Sequence, residues 1–293
     1  MNILSMQSWV AYGHVGNGAA MFPLQRLGAE VWAIHTVQFS NHTGYGGWTG
    51  DVFSGDSVRR LIAGIDARGV LGQCDGVISG YMGDVEIGAA ILDGVALVRA
   101  QNPAVLYCCD PVLGDDGTGL YVRPGIEDLI RDRALPLADL ATPNRFELER
   151  LTGIACDTMV NTYRAIAALQ ARMRAGGPRI VLLTSLVTGD TPAGSMDLIA
   201  GDNGDIHLLR TPRLAIQVNG AGDMIAALFL FHRHQSGSTQ AALEAAGSSV
   251  FGVLAHTAAI GVRELALIAA QNEIVRPAIK FSSHKIWGAG FKG

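Results

Sequence analysis

Apolar and polar positions along this chain follow two alternating rhythms. Short, dense apolar runs at residues 2–7, 30–38, 75–79, 105–109, 138–141 and 179–184 read as buried strands. Between them, residues 16–27, 56–68, 84–100, 124–133, 144–151 and 162–175 repeat apolar positions at helical spacing. The 124–133 helix is expected to begin with Pro124, a residue suited to a first helical turn. Residues 195–210 read as a hairpin around Gly201-Asp202-Asn203-Gly204, and the chain from Asp223 to about Asn272 is mainly helical. Repeated strand–helix–strand order predicts an α/β fold in three layers: a mostly parallel central sheet with helices on both faces. One domain over residues 1–293 accommodates the pattern, with a tail at about 276–293. Ligands of such sheets sit beyond the carboxyl ends of the strands, so the chemistry is expected in those loops. Residues 40–55 break the rhythm. They are Gly-rich, aromatic and too long for a simple turn, which predicts a flap over a site.

Composition narrows the possibilities. Hydrophobic residues make up 49% of the 293 and charged residues 16%, enough apolar material for a large core. A net charge of -4 argues against a basic face for nucleic acid. The N-terminus has no basic leader and the chain shows no run of 18 apolar residues, so neither a signal peptide nor a membrane span is expected. The cytoplasm is the expected compartment. Cys74, Cys108, Cys109 and Cys156 lack metal-ligand spacing and read as small buried hydrophobes in a reducing environment. His232 and His234 lie two apart in a helical stretch and face different ways, so no metal site is expected there.

Lysine is confined to Lys280, Lys285 and Lys292. A P-loop needs Gly-x-x-x-x-Gly-Lys-Ser/Thr, and no such run exists. An enzyme that carries pyridoxal phosphate as cofactor needs a Schiff-base lysine set in its core, and none is available before residue 280. Gly13-His14-Val15-Gly16-Asn17-Gly18 has the wrong spacing for a dinucleotide fingerprint and reads instead as a close approach of the first helix to a strand or ligand.

Two constellations carry chemistry. Asn219-Gly220-Ala221-Gly222-Asp223 runs directly into the apolar helix that begins at Met224. A Gly-rich turn opening a helix aims backbone N–H groups and the positive end of the dipole at one spot, where an anion such as a transferring phosphoryl group fits. A carboxylate there does not bind an anion. It can take a proton from an attacking hydroxyl, or it can simply cap the helix. The second constellation follows two other strands: Asp110-Pro111-Val112-Leu113-Gly114-Asp115, and Thr142-Pro143-Asn144-Arg145-Phe146-Glu147. Hard oxygen ligands on neighbouring loops suit Mg²⁺ held together with phosphate. The alternative is structural, with Asn144 and Glu147 forming a capping box.

These motifs, with Ser5-Met6-Gln7-Ser8, Tyr12-Gly13-His14-Val15-Gly16-Asn17, Val37-Gln38-Phe39-Ser40-Asn41-His42-Thr43 and Ser79-Gly80-Tyr81, occur in the order found in pyridoxal kinases of the ribokinase-like superfamily. The resemblance covers about residues 1–275, and the Tyr12–Asn17 and Val37–Thr43 stretches are its most specific parts. It implies ATP-dependent phosphorylation of the 5'-hydroxymethyl group of pyridoxal, a short flap in place of a full lid domain, and a homodimer. At matching positions it implies Asp223 as catalytic base, and the Gly220, Ala221 and Gly222 turn as anion hole. It implies Ser8, Thr43 and Tyr81 as contacts to the substrate, with Asp223 at the substrate hydroxyl. Asp110, Asp115 and Glu147 would surround a Mg²⁺ ion and the nucleotide phosphates, and Thr142, Asn144 and Thr184 would lie on the nucleotide side. A monovalent cation is compatible with the same site. Three positions depart from the family. Trp9 stands where many members carry His or Gln, Asn219 stands where the superfamily often has Thr, and Leu120 replaces a Cys, so no thiol adduct is expected there. Two other readings remain open: a kinase acting on the hydroxymethylpyrimidine of thiamine synthesis, and a protein that binds B6 vitamers without turnover.

Overall fold

The structure, a computed structural model, describes residues 1–202 and 204–287. Asn203 of the expected hairpin and residues 288–293 of the tail lie outside the described residues. The chain enters as β1 (Asn2–Tyr12), passes through α1 (Asn17–Arg26) and returns as β2 (Glu30–Asn41). Then come β3 (Gly50–Val52), α2 (Gly55–Asp66), β4 (Gly76–Ser79), α3 (Val85–Gln101) and β5 (Leu106–Cys109). A small hairpin of β6 (Gly114–Asp115) and β7 (Gly119–Leu120) precedes α4 (Ile126–Leu129), β8 (Leu140–Ala141), α5 (Arg145–Thr152), α6 (Met159–Arg172) and β9 (Ile180–Leu186). The chain continues as β10 (Ser195–Asp202), β11 (Asp205–Pro212), α7 (Ala221–Ser236), α8 (Thr239–Ile260), α9 (Gln271–Val275) and β12 (His284–Trp287).

Among the described residues ten strands form one sheet in the order β12-β11-β10-β9-β8-β5-β4-β1-β2-β3. The stretch from β9 to β2 is parallel throughout, and the pairs at both edges are antiparallel. Side chains alternate across the sheet, and each set finds its own helical layer. Leu4, Met6, Val77 and Val181 pack with Ile62, Val95 and Leu169 on one face. Ile3, Ile78, Cys108 and Leu182 pack with Leu24, Phe229 and Leu243 on the other. This is the expected three-layer arrangement. Among the described residues α8 alone is long and apolar enough to cross a membrane. Its Leu243, Ala246, Val250 and Val253 are buried in the second core, which accounts for its hydropathy.

Several boundaries differ from the expectation. The first strand continues to Tyr12 rather than ending at residue 7, with a register shift between Gln7 and Trp9. The helix expected from Pro124 begins at Ile126, because Gly125 sits at φ 88 in the left-handed region. It widens into a π turn over Ile130–Ala134 and ends in a 3-10 turn that contains Pro136, which has no N–H to continue the ladder. The 40–55 segment folds as a 3-10 turn, Thr43–Tyr45, followed by β3 against β2. The tail adds β12 to the sheet edge beside β11, a strand the periodicity does not reveal.

Candidate active site

The carboxyl ends of the parallel strands open into one cavity of about 560 Å³. Every site residue expected from the sequence lines it: Ser8, Thr43, Tyr81, Asp110, Asp115, Thr142, Asn144, Glu147, Thr184, Gly220, Ala221, Gly222 and Asp223.

The Gly-rich turn is built by close approach. Gly220 is the N-cap of α7 at φ 90, and a Cβ there would lie 1.9 Å from the His14 carbonyl oxygen, so no other residue fits. Gly222 differs: a Cβ on it would meet no protein atom within 4 Å. Its missing side chain therefore leaves room for a ligand rather than for protein. Helix geometry leaves the N–H groups of Ala221 and Gly222 without intrahelical acceptors. Asp223 is the third helical residue and not the N-cap, so its carboxylate is not a conventional cap. The nearby N–H groups of Gly16 and of Asp223 itself favour its ionised form, while burial, the larger influence, pushes its carboxyl up to about 6. Its side chain keeps partial access to the cavity. Such a group is mostly ionised at pH 7 and more basic than an ordinary aspartate, which suits a proton acceptor.

The opposite wall is acidic. Asp110 follows β5, and its Oδ1 accepts from the Thr142 hydroxyl at 2.9 Å. Burial, then the charges of Glu147 and Asp223, hold its carboxyl well above the usual range. Glu147 is pushed up to about 7 by burial, opposed by backbone N–H groups of Asn144, Leu113 and Gly114. Its Oε1 accepts from Leu113 at 3.0 Å and its Oε2 from Asn144 at 2.8 Å, and Asn144 Oδ1 accepts from Glu147 N–H at 2.9 Å. The capping box is thus present, and the same Glu147 side chain ties the α5 start to the loop after β5. Asn144 Nδ2 donates to Gly114 O, and Thr184 N–H donates to Pro143 O. Asp115 commits its Oδ1 to the Gly117 and Thr118 N–H groups in the β6–β7 turn. Among the described residues no group of three or more His, Cys, Asp or Glu could hold an ion alone. Asp110, Asp115 and Glu147 share the cavity without forming a closed ligand set.

The remaining wall is apolar. Val10, Val15, Val37 and Phe39 form a small buried cluster with Val52 and Tyr81, and the Trp48 ring lies 4.1 Å from that of Phe39. Such an apolar, aromatic wall is the kind that lines small-molecule pockets. His42 accepts from Gly44 N–H and shapes the flap turn that carries Thr43. Trp9 stays out of this wall and lies against His35, with ring centroids 4.9 Å apart.

Besides the apolar wall, sequence reasoning gave no role to several lining residues, among them Tyr121, Arg123, His42 and Ser185. Tyr121 follows β7, and Arg123 lines the cavity while pairing with Asp84 at 3.0 Å. His42 sits inside a quoted motif but carried no assigned role. Ser185 stands beside Thr184 at φ 56, an uncommon conformation for a non-glycine residue and one that often marks functional sites. Only His42 had a sequence signal, its place in the flap.

A family profile described as phosphomethylpyrimidine kinase matches residues 65–267. A curated pyridoxal kinase, PdxY, of Granulibacter bethesdensis is 58% identical over 281 residues, 96% of this chain and 98% of that protein. The corresponding PdxY of Deinococcus radiodurans is 52% identical over 287 residues, covering 97% and 96%. Among solved structures, pyridoxal kinase from Leishmania donovani in complex with ADP and ginkgotoxin superposes with a TM-score of 0.90 at 27% identity, covering 97% of this chain and 99% of that one. The same enzyme in complex with ADP and pyridoxamine gives a TM-score of 0.89 at 26% identity. The central sheet, the strand-end cavity and near-complete coverage in both directions agree, and the chain belongs to the pyridoxal kinase family with its ribokinase-like fold.

Proposed function

We propose that this protein transfers the γ-phosphoryl group of ATP to the 5'-hydroxymethyl group of pyridoxal, giving pyridoxal 5'-phosphate in vitamin B6 salvage. The observation that carries the reading is the placement of Asp223. Its carboxylate stands beside a helix N-terminus with room for an anion, in the same cavity as an apolar slot for a ring. The slot of Val10, Val37, Phe39 and Trp48 would hold the pyridine ring, with Ser8, Thr43 and Tyr81 contacting its polar substituents. The 5'-hydroxyl would then reach Asp223, which takes its proton as oxygen bonds to phosphorus. The N–H groups of Ala221 and Gly222 and the α7 dipole hold the charge of the phosphoryl oxygens. The flap excludes water, the competing acceptor.

Thr142, Asn144 and Thr184 would lie on the nucleotide side. A divalent metal fits the acidic wall because Asp110 and Glu147 are buried carboxylates raised first by burial and then by neighbouring charge, Asp110 by Glu147 and Asp223, Glu147 by Asp115, which a cation relieves. Asp110 Oδ2 makes no hydrogen bond among the described residues, and it would hold Mg²⁺ together with phosphate oxygens and water. Such an ion neutralises charge on the transferring phosphates. A monovalent cation remains compatible with the site. Exposed apolar side chains such as Ile260, Val262 and Ile268 support pairing into a homodimer, which light scattering would measure. Four free, buried cysteines are in keeping with a reducing, cytoplasmic setting.

The family profile's description favours one second reading, a kinase for hydroxymethylpyrimidine. A coupled ADP-release assay with pyridoxal, pyridoxine, pyridoxamine and hydroxymethylpyrimidine decides between them. Turnover of pyridoxal at the highest kcat/KM supports the proposal. Preference for the pyrimidine overturns it, and binding of pyridoxal with no ADP release leaves a vitamer-binding protein.

A further inference from the structure

We propose that Glu264 is a positioning residue that joins closure of the 40–55 flap to the seating of the catalytic base. The idea rests on the kinase reading above and adds a residue outside the cavity lining. Glu264 lies in the loop after α8, and that loop is fixed to the core. Leu265 and Leu267 are buried, and Ala266 N–H donates to Thr257 Oγ1 at 3.1 Å. From this platform the carboxylate reaches two partners at once. Its Oε1 accepts from the Tyr45 hydroxyl, and its Oε2 accepts from the His14 N–H at 3.1 Å. Arg263 places its guanidinium 4.6 Å from the centre of the Tyr45 ring, which adds a cation–π contact to the same side chain. Gly13 makes room for this arrangement. It sits at φ 101, and a Cβ on it would lie 2.2 Å from the Glu264 carboxylate.

Each partner leads directly to the reacting groups. Tyr45 ends the 3-10 turn that begins with Thr43, so holding Tyr45 holds the flap residue that lines the cavity. On the other side, the His14 carbonyl abuts Gly220, the N-cap of the helix that carries Asp223, and the Gly16 N–H lies near the Asp223 carboxylate. Gly16 also packs on the Ser8 backbone, where a Cβ would come within 2.2 Å of the carbonyl oxygen. One carboxylate therefore spans the flap and the 13–16 turn that orients the base. Elsewhere the flap is held by the three-residue β3, the Phe39–Trp48 and Tyr12–Tyr45 ring contacts, the Asn41 Nδ2 bond to Gly47 O and two bonds between Ser40 and Thr49. Residues 46–51 are exposed. Loss of the Glu264 contacts would leave the flap free to open while ATP is bound. Water would then attack the γ-phosphorus in place of the acceptor: its oxygen bonds to phosphorus, the bond to ADP breaks, and the water proton passes to Asp223.

Tyr45→Phe removes only the hydroxyl and keeps the ring beside Arg263. Glu264→Gln keeps the size but can accept with only one of its two terminal atoms. Three measurements apply to each full-length protein: amide hydrogen exchange over residues 43–50 without ligand, kcat and KM for pyridoxal, and the ratio of ADP to pyridoxal phosphate formed. Loss of one hydrogen bond predicts exchange faster by about three- to tenfold in that segment. The pyridoxal KM should rise by a similar factor with a smaller fall in kcat, and the ADP ratio should exceed that of wild type. The double variant should be no worse than the poorer single one, since both act on one link. Unchanged exchange over residues 43–50 in Tyr45→Phe overturns the link, whatever the activity. Faster exchange with KM and ADP ratio within about twofold of wild type overturns the positioning role, since a lost hydrogen bond should exceed that. A wild-type protein that does not turn over pyridoxal sinks the function reading instead, and the exchange result still judges the link.

Discussion

Replacing Asp223 by Asn should move activity and stability in opposite directions, and the structure sets both magnitudes. The substitution keeps the size of the side chain and one acceptor oxygen for the Gly16 and Asp223 N–H groups, but it removes the base. General-base catalysis is worth roughly 10²–10⁴-fold, so kcat should fall by about that factor, or roughly 3–5 kcal/mol at the barrier. Stability follows from the raised carboxyl, at about 6 rather than its ordinary 3.8. The folded state then holds the proton more tightly than the unfolded chain. Ionised Asp223 costs folding nothing below the unfolded pKa, progressively more as pH rises towards 6, and a constant amount above it. The upper limit of that cost is about 3 kcal/mol, and partial access of the side chain to the cavity lowers it to ~1–2 kcal/mol. The Asn variant avoids it, so its melting temperature should match wild type near pH 4 and exceed it at pH 8. Wild-type kcat/KM should climb about tenfold per pH unit below about 6 and level off above, and the variant should lack that limb. The assay is steady-state kinetics from pH 5 to 8 with melting curves on the same samples. A stable Asp223→Asn protein within about fivefold of wild-type turnover, with the acidic limb retained, would refute the base assignment, since it falls well short of the general-base range.

Gly222→Ala adds a methyl group that meets no protein atom, so the melting temperature should hold while KM for ATP rises by about tenfold or more; an unchanged KM places the phosphate elsewhere. Glu147→Gln should raise the Mg²⁺ and ATP requirement and leave pyridoxal binding intact, and unchanged Mg²⁺ dependence in both Glu147→Gln and Asp110→Asn would remove the metal from this wall. Thr43→Ala should weaken pyridoxal binding by about three- to tenfold, the worth of one hydrogen bond, with ATP affinity nearly constant; equal losses in calorimetry would place Thr43 outside the substrate side.

Much of the fold was legible because it depends on periodicity, which is local. The strand and helix runs, the three layers and the strand-end cavity all follow from apolar spacing and from the topology of parallel sheets. The polar residues of the cavity were legible because Asp110 and Thr142 stand just past apolar runs and Asp223 just before one, where a polar residue has no packing role. The apolar half of the site was not legible in that way. Val10, Val37 and Phe39 line the cavity, yet in sequence they look like any core residue. The short edge strands β3 and β12 were missed because three or four residues carry no measurable period. Glu264 was invisible for another reason. It meets Tyr45 across 219 positions and His14 across 250, and neither contact leaves a trace in local spacing.

In the proposed mechanism a carboxylate beside an anion site poses an electrostatic problem, and the local geometry answers it. An ionised Asp223 repels the phosphoryl oxygens that the Ala221 and Gly222 N–H groups attract. Two features limit that repulsion. The nearby N–H groups of Gly16 and of Asp223 itself favour the ionised carboxylate, and the first two N–H groups of α7 would remain for the phosphoryl group. Burial also makes the group basic enough to take a proton readily. As the acceptor hydroxyl gave up its proton, Asp223 would become neutral, and the repulsion would disappear while charge builds on the transferring oxygens. The residue thus opposes the anion most before reaction and least during it, which is differential stabilisation of the transition state. A lysine at this position would bind the phosphate equally before and during transfer, and it could not accept the proton.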